Sequence, residues 1–203
     1  MKKWKVKDSR LLFETPHFNL IKDSCEDFAG KDRDYYRIAS AHLNPVMVVP
    51  VKLKIVDGQP DQTQELTYVM IEQYRHGCGT TSIEFPAGRI DKGETAEQAA
   101  HRELAEETGY RAKQLKFLYR THVNPVRFDI EQHVFLAVVE DEPGELAREE
   151  SEVGAGMRTV EVSATALHKK ILDNEITDVC SLASLAIALL QSKKAIEYLK
   201  GAA

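Results

Sequence analysis

The sequence predicts an α+β fold, a mixed β-sheet with helices packed on it. Three observations lead there. Strand-like segments dominate the first two thirds of the chain, and helical ones cluster in the middle and at the C-terminus. The 203 residues suit one domain of ordinary size with a small appendage, and 43% hydrophobic content is enough to build its core.

The elements follow in order. Residues 10–24 (RLLFETPHFNLIKDS) carry two short apolar runs interrupted by Pro16, which suits two strands or one bent strand. Gly30 and Lys31 make a turn before a strand at Tyr35 to Ile38. Asn44 and Pro45 punctuate. Residues 46–56 (VMVVPVKLKIV) are dense in β-branched side chains and read as a buried strand. Across a polar turn at 57–64, residues 66–74 supply its hairpin partner. The Ala-, Glu- and Leu-rich stretch 94–108 predicts a helix, stopped by Gly109 in the C′ position. Strands at 115–123 and 132–139 flank NPVRFDIE. Residues 140–156 hold seven acids, one Arg and three Gly, which predicts a mobile acidic loop too polar for a core. A short strand at 159–162 precedes helices at 164–174 and 180–200, the last burying an apolar face. The first 40 or so residues are expected to form a small sheet of their own.

Composition excludes several functions. Lys and Arg total 27 against 32 Asp and Glu, a net charge of −5, where a general nucleic-acid binder shows a basic excess. No apolar run reaches the roughly 18 residues that cross a bilayer. The start, MKKWKVKDSR, has no apolar segment behind its basic residues, so no secretory signal is expected. Cys25, Cys78 and Cys180 have unrelated spacings, which fits neither a disulfide framework nor a zinc site, and none of the seven His residues has metal spacing. A soluble, cytoplasmic protein without nucleic-acid or membrane partners is expected.

The chemistry concentrates between Gly88 and Tyr110, GRIDKGETAEQAAHRELAEETGY. At about 100° per residue, Glu103 and Glu107 lie within about 40° of each other, and Glu106 about 60° to the other side of Glu103. Ala96, Ala99 and Ala100 lie on the same side one turn earlier and allow a close approach to a neighbour. Like charges at i,i+4 repel, and the helix C-terminus disfavours anions. A helix built for stability alone would not choose this edge. A hard divalent cation relieves both penalties, and oxygen-only ligands suit Mg²⁺ or Mn²⁺. Arg102 is one turn from Glu106 and can orient it. A bare cluster of Glu is usually a solvated helix face. The full spacing separates this one from that reading: Gly88, five residues, Glu94, seven residues, then Arg102-Glu103-Leu104-x-Glu106-Glu107-x-Gly109-Tyr110.

That spacing resembles the Nudix box, G-x5-E-x7-R-E-U-x-E-E-x-G-U, at every fixed position, with Tyr110 as the last bulky residue. The resemblance implies the Nudix fold, a mixed β-sheet sandwiched between α-helices. It also implies metal-dependent hydrolysis of a nucleoside diphosphate linked to another group. Glu103 and Glu107 would be metal ligands, joined by the carbonyl of Ala87. Glu106 would be a third ligand or a catalytic carboxylate beside them. Glu94 and Arg102 would hold the loop to the helix. The flank EQYRHGCGTTSIEFPAGRID (72–91), Pro125 and the opening WKVKDSRLLFETPHFNL resemble the ADP-ribose and nucleoside-diphosphate-sugar pyrophosphatases of that family.

The likeness to that subgroup implies a nucleotide-sugar substrate, Mg²⁺ with Mn²⁺ as a substitute, and a homodimer. In the domain division it suggests, an N-terminal β-sheet segment at 1–42 serves dimerisation and a hydrolase domain spans 43–203. Arg75 would bind phosphate or ribose, and Glu84 would line the pocket. Arg89, Arg37 and Arg127 are further candidates for phosphate contacts, since a planar guanidinium suits phosphate oxygens. Phe128, Tyr35 and Tyr36 could stack on an adenine, although aromatics at strand positions are more often core. The subgroup takes a catalytic glutamate from an acidic loop before a short strand. Counting back from 159–162 without a gap reaches Ala155, and a shift of three reaches Glu152, with Glu149 and Glu150 nearby. Glu152 is the candidate for that role. The rival readings are other nucleotides (NADH, dinucleoside polyphosphates, nucleoside triphosphates) and a Nudix-fold module that only senses nucleotide sugars. The EQYR and Pro125 features count against the first, and the intact box against the second.

Overall fold

In the structure, a computed structural model that describes residues 2–40, 44–54 and 65–201, the chain opens with β1 (Lys5–Glu14), β2 (Phe18–Glu26) and β3 (Asp32–Ser40). Next come β4 (Pro45–Lys54), β5 (Glu65–Arg75), β6 (Thr80–Glu84) and β7 (Ala87–Arg89). Helix α1 (Ala96–Thr108) is followed by β8 (Ala112–His122), β9 (Glu131–Val139), α2 (Glu150–Gly154), β10 (Arg158–Ser163), α3 (Ala164–Leu172) and α4 (Val179–Gly201). The polar turn expected at 57–64 and the boundary expected between 42 and 43 lie outside the described residues.

The two apolar runs around Pro16 are two strands. Thr15 separates them: its Oγ1 accepts from the amides of His17 and Phe18 at 3.1 and 2.8 Å, which closes the turn. The three strands make an antiparallel sheet in the order β1-β2-β3.

The second sheet is mixed and runs β10-β5-β4-β9-β8, with β6 added to β5 and β7 to β4. Its central strand β4 is parallel to β9 and antiparallel to β5 and β7. The dense apolar run of β4 has a simple cause, because both of its faces are covered. Val46 and Val48 point into a core layer with Ala99, Ala100 and Leu104 of α1. Met47, Val49 and Val51 point the other way, into a layer with Leu167 of α3 and Leu185 and Ala188 of α4. Helices thus cover both faces of the mixed sheet, as the sequence predicts.

One interruption of the sheet positions the site. β4 pairs with β7 at Pro45–Met47 and with β5 only from Val51 onward. Pro50, fully buried, lies in the gap between those partners, where the missing N–H matters least. The amide of Val48 there donates to the Pro86 carbonyl at 3.0 Å. The segment around Pro86 is thereby drawn into the sheet and delivered beneath α1. β6 and β7 were not expected from the sequence, since five and three residues with mixed polarity give no periodic signal. The acidic loop at 140–156 is also more built than expected, for it contains α2. Among the described residues no helix is long and apolar enough to cross a membrane.

Candidate active site

Helix α1 begins on a capping box. Thr95 Oγ1 accepts from the Gln98 amide at 3.2 Å, and Gln98 Oε1 accepts from the Thr95 amide at 2.9 Å. It ends at Gly109, whose φ of 78° is the left-handed conformation glycine tolerates best. Between these caps Ala99, Ala100 and Leu104 are completely buried, so the helix lies hard against the sheet. Glu103 and Glu107, on the neighbouring edge, are drawn under cover with them, at 7% and 3% exposure.

Arg102 organises the loop before the helix. Its Nε and Nη2 donate to the two Glu94 oxygens at 3.0 and 2.9 Å, and Nη2 also reaches the Arg89 carbonyl at 2.8 Å. Its Nη1 donates to Glu103 at 2.8 Å and to Glu106 at 3.1 Å. Glu94 closes the loop by accepting from the Asp91 amide at 3.0 Å. Glu107 accepts from the Ala87 amide at 2.8 Å, which ties α1 to the start of β7. Gly88 leaves the room that the Glu103 carboxylate occupies. A Cβ there would stand 1.9 Å from a Glu103 carboxylate oxygen.

Glu103, Glu107 and Glu152 each offer an oxygen within 4.8 Å of the others. Burial, the largest influence, pushes Glu103 up to about 7, against the pull of Arg102. Burial likewise pushes Glu107 up to about 9, with the Ala87 amide opposing and Glu103 adding to the rise. Glu152 is also raised, by burial first. Buried carboxylates that cannot all ionise together, offering oxygen alone, fit a hard dication.

These groups line a cleft of about 990 Å³. Arg75 and Glu84 stand on its wall, the Arg75 Nε donating to the two Glu84 oxygens at 3.0 and 3.2 Å. Arg89, Ala87 and Glu152 also line it. The structure does not bring the remaining candidates there. Glu106 lies beside the trio, paired with Arg102 and part-exposed. Arg37 is bound to Asp23 at 2.7 Å and to Asp129 at 2.9 Å, and Arg127 lies over the Tyr35 ring with its Nη1 3.4 Å from the Tyr36 carbonyl. Both belong to the junction of the N-terminal sheet with the 124–130 turn, where β3 meets that turn through Ile38 and Phe128. Long-range pairing with Asp23 and Asp129 consumes a guanidinium that the sequence presents as available. Tyr35, Tyr36 and Phe128 lie outside the cleft lining as well.

Other lining residues carried no sequence signal. His17 comes from the turn of the N-terminal sheet, and Asp178 from just before α4. Asp178 accepts from the Ser181 amide at 2.7 Å, and Ser181 Oγ accepts from the Phe85 amide at 2.9 Å, which fixes the floor beside Glu84.

A two-sided mixed sheet with clustered carboxylates on the first helix edge defines a Nudix protein, and the chain belongs to the NUDIX domain family, whose model matches residues 56–182. Among its relatives, the ADP-ribose pyrophosphatase of Bacillus subtilis is 36% identical over 141 residues, covering 68% of this chain and 72% of that protein. The ADP-ribose pyrophosphatase of Saccharomyces cerevisiae is 46% identical over 117 residues, covering 54% of this chain and 48% of its own length. The crystal structure of an ADP compounds hydrolase shares the fold over 99% of this chain and 96% of its own, with a TM-score of 0.72 at 24% identity.

Two outcomes follow from this geometry. Gly88→Ala displaces only the flexible end of Glu103, so the protein should fold while its Mn²⁺ affinity drops by about tenfold or more, measured by calorimetry. The second concerns pH. Glu103 and Glu107 are raised from 4.5 to about 7 and about 9, so these two groups contribute stability to the metal-free fold at acid pH that is lost as pH rises from 4.5 through about 9. Protons and metal compete for the same oxygens. Mn²⁺ affinity should therefore climb between about pH 6 and about pH 9, and the Mn²⁺-induced rise in Tm should grow with it. A flat profile would contradict the assignment.

Proposed function

We propose that this protein hydrolyses the pyrophosphate bond of nucleoside diphosphate sugars, ADP-ribose among them, to a nucleoside monophosphate and a sugar phosphate. The observation that carries the reading is the carboxylate trio at one side of a cleft large enough for such a substrate, with Arg75 on the cleft wall. The names of the Bacillus subtilis and yeast relatives point to the same substrate class.

Glu103 and Glu107 would hold Mg²⁺, or Mn²⁺ in its place, with the Ala87 carbonyl as a further donor. When bound, such an ion neutralises diphosphate charge and lowers the pKa of water beside it. Arg75, oriented by Glu84, grips a phosphate or ribose oxygen, and Arg89 adds a second positive group to the cleft. Glu152 orients the attacking water and takes its proton. Attack in line on one phosphorus releases the other phosphate as the leaving group, and ADP-ribose gives AMP and ribose 5-phosphate. Glu106 acts on this arrangement through Arg102.

A homodimer belongs to the same reading. Leu11, Phe13 and Phe18 of the N-terminal sheet are exposed by 50, 60 and 40%. A second copy is the occupant proposed for that apolar surface. Sedimentation velocity should return twice the chain mass, and a monomer at micromolar concentration would refute it.

A Mg²⁺-dependent screen over ADP-ribose, ADP-glucose, UDP-sugars, GDP-mannose, NADH and dinucleoside polyphosphates, with products identified by mass spectrometry, tests the activity. ADP-ribose or another nucleotide sugar should rank first. Glu107→Gln should keep the fold and lose at least about 100-fold in kcat, since even the partners of metal ligands are worth 10- to 100-fold. A near-normal rate at saturating Mg²⁺ would refute the ligand assignment.

A further inference from the structure

Arg148 lies in the acidic segment and half-buried, away from every motif of the sequence. Its guanidinium is spent on three separate acceptors. Nε and Nη2 donate to the Glu107 carbonyl at 3.0 and 2.7 Å. Nη1 donates to the Met157 carbonyl at 2.6 Å, and Nη2 to Thr159 Oγ1 at 2.8 Å. The Glu107 carbonyl belongs to the last turn of α1, which carries no basic residue of its own. Such terminal carbonyls need donors from outside the helix, and a cation there complements the helix dipole.

The geometry points to Arg148 as a positioning residue that sets the Glu152 carboxylate against Glu103 and Glu107. The inference rests on the proposed hydrolase reading for Glu152. One planar fork bonds both ends of the segment 148–157 and fastens that segment to the helix bearing Glu107. Inside this closed segment Glu149 and Glu152 cap each other. Glu152 accepts from the Glu149 amide at 2.8 Å, and the Glu152 amide reaches the Glu149 carbonyl at 3.1 Å. The far side is fixed by the Tyr74 amide, which donates to the Ala155 carbonyl at 3.0 Å next to Arg75. Three carboxylates within 4.8 Å repel one another. Glu103 and Glu107 stand on a helix packed against the sheet, where Arg102 holds the first carboxylate and the Ala87 amide the second. Glu152 is carried instead by a surface segment, and Arg148 fastens that segment to α1. A lysine offers one ammonium point where Arg148 offers a flat fork to three acceptors, so it replaces only part of the clamp.

The test uses the full chain with Arg148→Gln, Arg148→Lys, Glu152→Gln and the double variant Arg148→Gln/Glu152→Gln. Arg148→Gln should lower kcat for ADP-ribose by about 100-fold with KM within about threefold, as for a misplaced catalytic group. Arg148→Lys should fall between that and the wild type. In the Glu152→Gln background the Arg148→Gln change should cost less than about twofold, because there is no carboxylate left to position. Calorimetric titration with Mn²⁺ should show the same coupling: equal losses of affinity in both single variants and no further loss in the double. Additive losses, a raised KM at unchanged kcat, or collapse of the circular dichroism in both Arg148 variants would overturn the inference. If the wild type cleaves none of the nucleotide sugars, the hydrolase reading fails by itself, and the Mn²⁺ coupling then decides the role of Arg148.

Discussion

Two glutamates buried one turn apart on the same helix are a cost that the surrounding chain has to carry. Glu103 and Glu107 lose hydration, repel each other and sit toward the anion-averse end of α1. What surrounds them answers each penalty in turn. The Arg102 guanidinium offsets the charge of Glu103, and the Ala87 amide that of Glu107. Arg148 supplies the C-terminal cation that the last turn of α1 lacks. None of these partners is sufficient to return the two groups to ordinary carboxylate behaviour, and the remaining imbalance is what a dication would relieve.

The same constraint explains why the sheet is interrupted at its centre. For Ala87 and Gly88 to pass beneath α1, β5 must let go of β4 before its end, and β7 must take its place. Pro50 and the bond from Val48 to Pro86 mark that exchange. The closeness is then limited by Gly88, since any side chain would enter the space of the Glu103 carboxylate. Ala99 and Ala100 serve the approach from the other direction, as small residues fully buried against Val46 and Val48. Packing and chemistry are therefore set by one decision about helix-to-strand distance.

Legibility in the sequence follows the range of the interactions. The helix carrying the carboxylates, its glycine stop and the crowding of Glu103 and Glu107 were readable because they depend on residues three and four apart. The central strand β4 was readable because burial on both faces leaves a continuous apolar run. β6 and β7 were not: β6 is a short strand of mixed polarity folded back on β5, and β7 is three residues held by β4 far along the chain. Arg37 and Arg127 stand only as candidates for phosphate contacts in the sequence, because an arginine there does not show its acceptor. Asp23, Asp129 and the Tyr36 carbonyl become visible only when the chain is folded. Arg148 failed to register for the same reason, since its acceptors include two backbone carbonyls, which every residue possesses.

The Arg75–Glu84 pair gives the cleft its second half. Glu84 is buried and Arg75 is about half exposed, so the carboxylate is committed to the protein while the guanidinium still faces the cleft. An arginine held by both carboxylate oxygens has already lost its rotamer freedom, and a phosphate that meets it does not have to order it again. Ser181 and Asp178 lock the adjoining Phe85 amide to the start of α4, so the pair rests on the core rather than on a loop. An acidic edge that would hold a dication and a preset arginine on the wall of one cleft together suit a ligand carrying more than one negative charge. A diphosphate meets that description, whereas a monovalent anion would engage only one of the two sides.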